Sequence, residues 1–432
     1  MDWPFLMLFF FGGLSALLLL GLPVAFAFLC VNVIGVYVFW GGAIGLQQLI
    51  LSIDSSISTF VLVPVPMFIL MGTVIFHSGI AYRMIDVLDE WLGKIAGRLA
   101  LLSIGAGSLF ATLTSVAMLG STLVPDMERR GYSKSMSIGP ILASGSLAIM
   151  IPPSALGVIL ASMGQFSVGK LLIGILLPGL LLAVVYATYV VIRCHIQPHL
   201  APPYEVAPTP IGPRIMRTLQ YVLPLVIIIS IVIGTIFAGV ATPTEAAALG
   251  ALFCFLLVAC YGKLTWQVIT KSVAAATTIS VMVFVILTGS AAFSQILAFT
   301  GITVGITELA LSWSEHPILI LIAMQVILLL LGMLIEQTSI VMITTPIYFP
   351  IVSAFGWDPV WFGAIMLLNL EMATISPPFG LSLFVMKGIT SKTTTMGDIY
   401  RAALPFVALN LVVMGIMIAV PGTVLWLPAL MR

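Results

Sequence analysis

The chain has 432 residues, of which 61% are hydrophobic and only 7% charged, with a formal net charge of +1 and a mean hydropathy of +1.23. Soluble domains carry about 25% charged residues. A chain this poor in charge cannot cover a water-facing surface, so lipid is the solvent for most of it. No basic stripe exists to neutralise phosphates, which excludes nucleic acid as a partner. The four cysteines, Cys30, Cys194, Cys254 and Cys260, form no CxxC pair and read as small buried hydrophobes.

A helix that crosses the bilayer needs about 20 mostly apolar residues. In chain order, spans are predicted over 5–20, 22–40, 59–79, 137–163, 170–192, 219–239, 244–262, 273–299, 360–388 and 401–420. The first has no basic n-region and no small-residue cleavage site, so it reads as a retained helix rather than a signal peptide. The stretches 99–127 and 317–352 are long and interrupted near their middles, by Ala111-Thr112-Leu113-Thr114-Ser115 and by Gly332 to Ser339. They read as re-entrant hairpins, because irregular backbone at that depth is tolerated only inside protein or beside a wet cavity. Segments 81–98 and 302–316 read as amphipathic helices lying in the interface. The proline-rich segment 193–218 reads as an extended linker that divides a first half, 1–192, from a second, 219–432. The expected fold is an all-α polytopic membrane protein of about ten spans plus two hairpins.

Lys and Arg set the orientation. With the N-terminus outside and both hairpins returning to their own side, fourteen basic residues fall inside and only Lys170 and Arg432 outside. Hairpin 1 then opens to the cytoplasm and hairpin 2 to the outside. The halves repeat a pattern at an offset of 225 residues: Pro125 matches Pro350, Gly131 matches Gly356, and Pro152-Pro153 matches Pro377-Pro378. Hairpins opening to opposite faces make the repeat inverted, an arrangement of secondary transporters that bind near the midplane.

Each Pro-Pro pair removes two backbone donors and breaks its span, so that freed carbonyls can face a cation. Hard cations such as Na⁺ want oxygen ligands. The oxygens beside the breaks belong to Ser144, Ser146, Ser154, Asn369, Thr374 and Ser376. The hairpin tips add Thr112, Thr114, Ser115, Glu336 and Thr338. Any single hydroxyl here reads better as a helix-packing group bonded to its own carbonyl; as two clusters beside two tips they point to ion sites. Acids in the membrane are functional candidates, and Glu336 and Glu371 stay open between cation ligation, proton carrying and structural pairing. Glu245 reads as an acid favoured in a first helical turn. No P-loop, H-E-x-x-H or G-x-S-x-G occurs, and the four histidines lie at segment ends or in the linker, so an enzyme has no constellation to build on.

Leu119-Gly120-Ser121, Val124-Pro125-Asp126-Met127, Arg130-Gly131-Tyr132, Ile151-Pro152-Pro153-Ser154, Leu177-Pro178-Gly179, Ala241 to Ala248 (ATPTEAAA) and Ser376-Pro377-Pro378 resemble the large membrane subunit of tripartite ATP-independent periplasmic (TRAP) transporters. The resemblance covers nearly the whole chain. It implies a secondary transporter of the bacterial inner membrane with no cofactor, in which Na⁺ drives import of an organic anion, often a carboxylate. A small four-helix membrane subunit and a soluble periplasmic binding protein would be its partners. A transport domain of hairpins and broken helices would move against a scaffold in elevator fashion. Hairpin 1 with Ser144 to Ser154 would hold one Na⁺, and hairpin 2 with Asn369 to Ser376 another. The tip of hairpin 1 is about five residues shorter than the Gly-Ser-Ser-rich tip usual in the family, and the loss falls on the first cation site. Glu336 replaces the usual Asp. The competing readings are a self-sufficient ion-coupled anion transporter and, with no supporting pattern, a membrane-embedded enzyme.

Overall fold

A computed structural model describes the chain apart from residues 1–2, 94, 96, 110–113, 203–209, 314–315, 392 and 432. The first half runs α1 (Trp3–Leu19), α2 (Val24–Phe39), α3 (Ala43–Ile57), α4 (Pro64–His77), α5 (Ile80–Leu92), α6 (Arg98–Leu109), α7 (Thr114–Arg129), α8 (Lys134–Met150), α9 (Ala155–Met163), α10 (Val168–Gly174) and α11 (Leu176–Ile196). α12 (Ile211–Arg217) passes through a π-helical turn into α13 (Leu223–Phe237). The second half continues with α14 (Pro243–Cys260), α15 (Trp266–Phe299), α16 (Ile302–Leu311), α17 (Pro317–Leu334), α18 (Gln337–Ala354), α19 (Pro359–Thr374), α20 (Leu381–Ile389), α21 (Met396–Ala419) and α22 (Gly422–Ala429). No strand forms among the described residues.

Seven of these helices are long and apolar enough to cross a membrane, or eight if the bent pair α8–α9 is one span. That is fewer than the ten apolar runs suggest. The run 360–388 is two helices, α19 and α20, and the 16-residue α2 and α19 fall short of a full span. Lipid-facing character is plain on the outer helices, where Leu8, Ile227 and Leu330 are exposed.

Three elements differ from the sequence reading. α3 contains Gln47, Gln48 and Asp54, too polar for an apolar span, yet it buries Gly45, Leu49 and Ser52 against α2 and α15. The segment 193–218 is largely helical where it is described. α11 continues to Ile196, and α12 starts directly after Pro210, where a proline costs no helical hydrogen bond. α12 and the turn after it then dock on α5: Trp91 Nε1 donates to Thr218 Oγ1 at 2.7 Å, Arg83 donates to Tyr221 Oη at 2.7 Å, and Arg217 pairs with Glu90. Finally, α15 starts at Trp266 because Thr265 caps it, accepting from Val268 N at 3.2 Å. Its 34 residues span about 51 Å.

The halves share one plan. α4 and α15 each end at a left-handed glycine, Gly79 (φ 73°) and Gly301 (φ 74°), that opens the short helices α5 and α16. The hairpin α6–α7 corresponds to α17–α18, and each is followed by a positive-φ glycine, Gly131 and Gly356. Then come the broken pairs α8–α9 and α19–α20, each interrupted by a cis Pro-Pro bond. Packing follows the same plan: α6 lies on α8 and α17 on α19, while α11 lies on α8 and α21 on α19. The halves also exchange contacts, α9 against α18 and α20 against α7, with α8 and α19 touching at the centre. A second group, α2, α3, α4, α14 and α15, packs together and meets the first through α4–α9 and α15–α18. Small residues allow the closest approaches. A Cβ on Gly139 would lie 2.6 Å from Ala402 O on α21. Asn32 Nδ2 on α2 donates to Gly289 O on α15 at 2.6 Å.

Candidate functional site

The two breaks and the tip of hairpin 2 converge. α8 and α9 meet at 49° around Ile151 to Ser154. Ser154 caps α9, its Oγ accepting from Gly157 N at 3.2 Å. In the second break the chain doubles back so tightly that a Cβ on Gly380 would lie 2.7 Å from the Thr374 carbonyl carbon and 2.9 Å from Ser376 O. Tyr400 Oη holds this turn by donating to Pro378 O at 2.7 Å. Thus Pro152, Pro153, Pro377 and Pro378 sit where half-helices end and begin, which is where helix dipoles and unpaired backbone groups can address a ligand.

Glu336 caps α18. Its Oε1 accepts from Thr338 N at 3.0 Å and from Thr338 Oγ1 at 2.7 Å, while Oε2 accepts from Ser339 N at 3.1 Å and Ser339 Oγ at 3.3 Å. Both oxygens and the Thr338 hydroxyl are therefore engaged in building the tip. The next residue, Gln337, reaches to α19: its Nε2 donates to Glu371 Oε2 at 2.6 Å and approaches Leu370 O at 3.3 Å. On the same helix Asn369 Nδ2 donates to Gln325 O and Gln325 Oε1, both at 2.7 Å, which ties α19 to α17. Its Oδ1 is buried with no partner.

The predicted hydroxyls divide. Ser144 Oγ donates to Ile141 O at 2.6 Å and Thr374 Oγ1 to Glu371 O at 2.8 Å, each within its own helix, and Ser376 Oγ, just past the end of α19, donates back to Met372 O at 2.7 Å, leaving lone pairs available. Ser146 is fully buried and its Oγ makes no close hydrogen bond; Tyr186 on α11, which also neighbours Asn410 on α21, lies beside it. Thr112 lies outside the described residues, as do the side chains of Thr114 and Ser115, so the hydroxyls of hairpin 1 are not placed.

A cavity of about 330 Å³ opens between the two helix groups. Apolar side chains such as Val65, Ile69, Ile159 and Val283 form most of its wall. Its polar lining comes from Thr73 and His77 on α4, Ser154 at the start of α9, Gln337 and Thr338 at the start of α18, Glu371, and Ser382 on α20. Ser382 was not singled out by the sequence, because a hydroxyl one turn beyond a break has no pattern of its own. Glu371 is only 4% exposed. No Lys, Arg or His pairs with it among the described residues, and no Lys or Arg lines the cavity.

These features define a polytopic helical membrane protein with paired hairpins and paired broken helices around a central cavity, the fold of a secondary transporter. The chain belongs to the family described as the tripartite ATP-independent periplasmic transporter, DctM component, whose model matches residues 11–423. It is 32% identical over 446 residues to the C4-dicarboxylate TRAP transporter large permease protein DctM of Rhodobacter capsulatus, covering 98% of this chain and 99% of that protein. The DctM of Pseudomonas aeruginosa is 30% identical over 380 residues, covering 85% and 86%. The ectoine TRAP transporter large permease protein TeaC of Halomonas elongata is 29% identical over 417 residues, covering 95% and 96%. The fold is similar to that of the Alcanivorax borkumensis YdaH transporter, with a TM-score of 0.67 at 16% identity over 88% of this chain and 89% of that one. Neisseria gonorrhoeae MtrF gives 0.66 at 14% identity, covering 89% and 85%.

Proposed function

We propose that this large permease carries a small organic carboxylate across the bacterial inner membrane, driven by Na⁺, after a soluble periplasmic binding protein delivers it. A small four-helix membrane subunit completes the complex, and the N-terminus faces the periplasm. The hairpins with α8–α9 and α19–α20 move as a transport domain against the group formed by α2, α3, α4, α14 and α15. No cofactor takes part; Na⁺ is the coupling ion.

The observation that carries this reading is the oxygen set at the second break. Asn369 Oδ1 is buried and unpartnered, and it lies on the same helix as Thr374, which runs directly into the break that holds Ser376 and Pro377. A neutral oxygen left unpaired inside a membrane protein is costly unless something fills its place, and an oxygen-rich set suits Na⁺. Ser146 Oγ beside the first break supports a second position. Glu336, occupied in capping, shapes the tip and would reach Na⁺ only through the geometry it holds.

Uptake by proteoliposomes containing all three components is the test. Uptake should need a Na⁺ gradient, and Asn369→Ala and Ser376→Ala should each raise the half-saturating Na⁺ concentration. Uptake that persists without Na⁺ refutes the coupling. Uptake by this chain alone, with no binding protein, refutes the tripartite arrangement.

A further inference from the structure

The segment 211–222 is more than a connection between the halves. Arg214, Arg217, Thr218 and Tyr221 recur every three or four residues along α12 and its π-helical turn, so they share one face. Single π turns of this kind recur at functional positions. Arg83, Glu90 and Trp91 share a face of α5 in the same way, about two turns apart. The two faces meet. Arg214 lies over the Trp91 ring at 5.6 Å and Arg83 over the Tyr221 ring at 5.4 Å. The hydrogen bonds of Trp91 to Thr218 and of Arg83 to Tyr221, and the pair of Arg217 with Glu90, complete the contact.

Each side of this contact is fastened to a different helix group. Tyr221 stacks on Tyr261 at 5.6 Å, and Tyr261 Oη donates to Gln220 O, which ties the π turn to the end of α14. α14 packs with α2, α3, α4 and α15. α5 is tied to hairpin 1, because Asp89 holds the buried Arg98 at the start of α6. Neighbouring acids thus address opposite groups, Asp89 the hairpins and Glu90 the linker.

The two ties differ in strength. The Arg98 side chain is 4% exposed, whereas that of Arg217 is 54% exposed, and exposed pairs contribute little. Glu90 Oε2 is buried and makes no hydrogen bond among the described residues, a cost that opening to water removes. The contact of α5 with the linker is therefore the one that yields when the groups shift. α16, the counterpart of α5, packs on α1 and α18 and takes part in no ion pair among the described residues, so the arrangement belongs to one face of the repeat.

We propose that α5 and the linker turn form a releasable latch, which holds the hairpin group in the position described and opens when that group crosses the membrane. The latch presupposes the movement of the hairpin group proposed above. It makes the linker a control on how often the transporter changes state.

Nitroxide labels at Ile44→Cys on α3 and Ser353→Cys on α18 report the separation of the two groups, with both membrane subunits in lipid nanodiscs and NaCl. Ile44 and Ser353 are exposed, and the exposed Cys30 and Cys260 are replaced by Ser. Pulsed electron spin resonance reads the proportion of each distance. The latched protein should show mainly one. Glu90→Lys, which sets a like charge against Arg217, should raise the proportion of a second distance about threefold or more. Glu90→Lys combined with Arg217→Glu should bring it back. Trp91→Phe, which removes only the Nε1 donor to Thr218, should shift it the same way by less. Two distances whose proportions stay the same in these variants, or move the other way, overturn the latch and leave the moving group standing. A Glu90→Lys effect that the charge exchange does not reverse also overturns the latch, because it marks a merely structural loss. A single distance in every variant overturns the moving group and the latch together.

Discussion

Gly145 and Glu371 offer a measurement of how tightly the two broken helices are fitted to each other. In Gly145→Ala the new Cβ would stand 2.8 Å from Glu371 Oε1 and 3.2 Å from Val116 Cγ2. An ordinary contact begins at 3.4 Å, at least 0.6 Å longer than the first of these. The carboxylate cannot swing away freely, because its other oxygen is bound to Gln337 and the residue is buried. Overpacking of this kind costs about 1–3 kcal/mol. Alanine is also about 1 kcal/mol better than glycine inside a helix, so the net loss in the native background is about 0–2 kcal/mol. In a Glu371→Ala background the clash is gone while the Val116 contact and the helix preference remain, and Gly145→Ala should become neutral or stabilising. The difference between the two backgrounds, about 1–3 kcal/mol, is the coupling. Reversible unfolding in mixed micelles, run on the native protein, both single variants and the double variant, reads it directly. Effects of Gly145→Ala that agree within about 0.5 kcal/mol in the two backgrounds would refute the close fit of Glu371 against α8.

Other outcomes follow from the same geometry. Arg98 is 3% exposed and holds Asp89 by a two-pronged pair at 2.5 and 2.6 Å while donating to Gly93 O at 3.0 Å. Arg98→Ala should destabilise by about 2–3 kcal/mol, below the 3–5 of a fully buried pair because the Asp89 side chain keeps 29% exposure; thermal unfolding in detergent checks it. Lys134 and Asp398 join α8 to α21 at 2.9 Å but are 38% and 30% exposed. Lys134→Ala should therefore cost less than about 1 kcal/mol, with a loss that shrinks further in high salt. Gly301→Ala meets no neighbour, yet it places an L-residue at φ 74°, so the same unfolding measurement should show a loss of about 1–2 kcal/mol, and Gly301→Asn a smaller one.

Some of this protein was readable before any coordinates. The Pro-Pro pairs at an offset of 225 residues mark the two breaks because proline removes a donor wherever it stands, and no packing can return it. Glu245 is legible as a first-turn acid, and it closes a capping box with Thr242 through bonds that involve only neighbours in sequence. Apolar runs located most helices for the same local reason. α3 is not legible as a helix because its polar residues hide one buried face, and only α2 and α15 give that face something to pack on. The helical parts of 193–218 are hidden in the sequence because prolines suggest extension, whereas docking on α5 selects a helix.

What the sequence alone determined is local: where helices break, where glycine must turn, and that lipid surrounds the chain. Charge and backbone chemistry act at the residue that carries them, so these features needed no fold. The cavity was decided by tertiary structure. Glu371 is an isolated acid in the sequence, open to three readings. Its burial, its bond to a glutamine 34 residues away and its place in a chamber with no Lys or Arg among the described lining residues exist only because α8, α18 and α19 are brought together. The same holds for Asn369, whose oxygen is left unpaired by its neighbours on α17 and not by anything in its own segment.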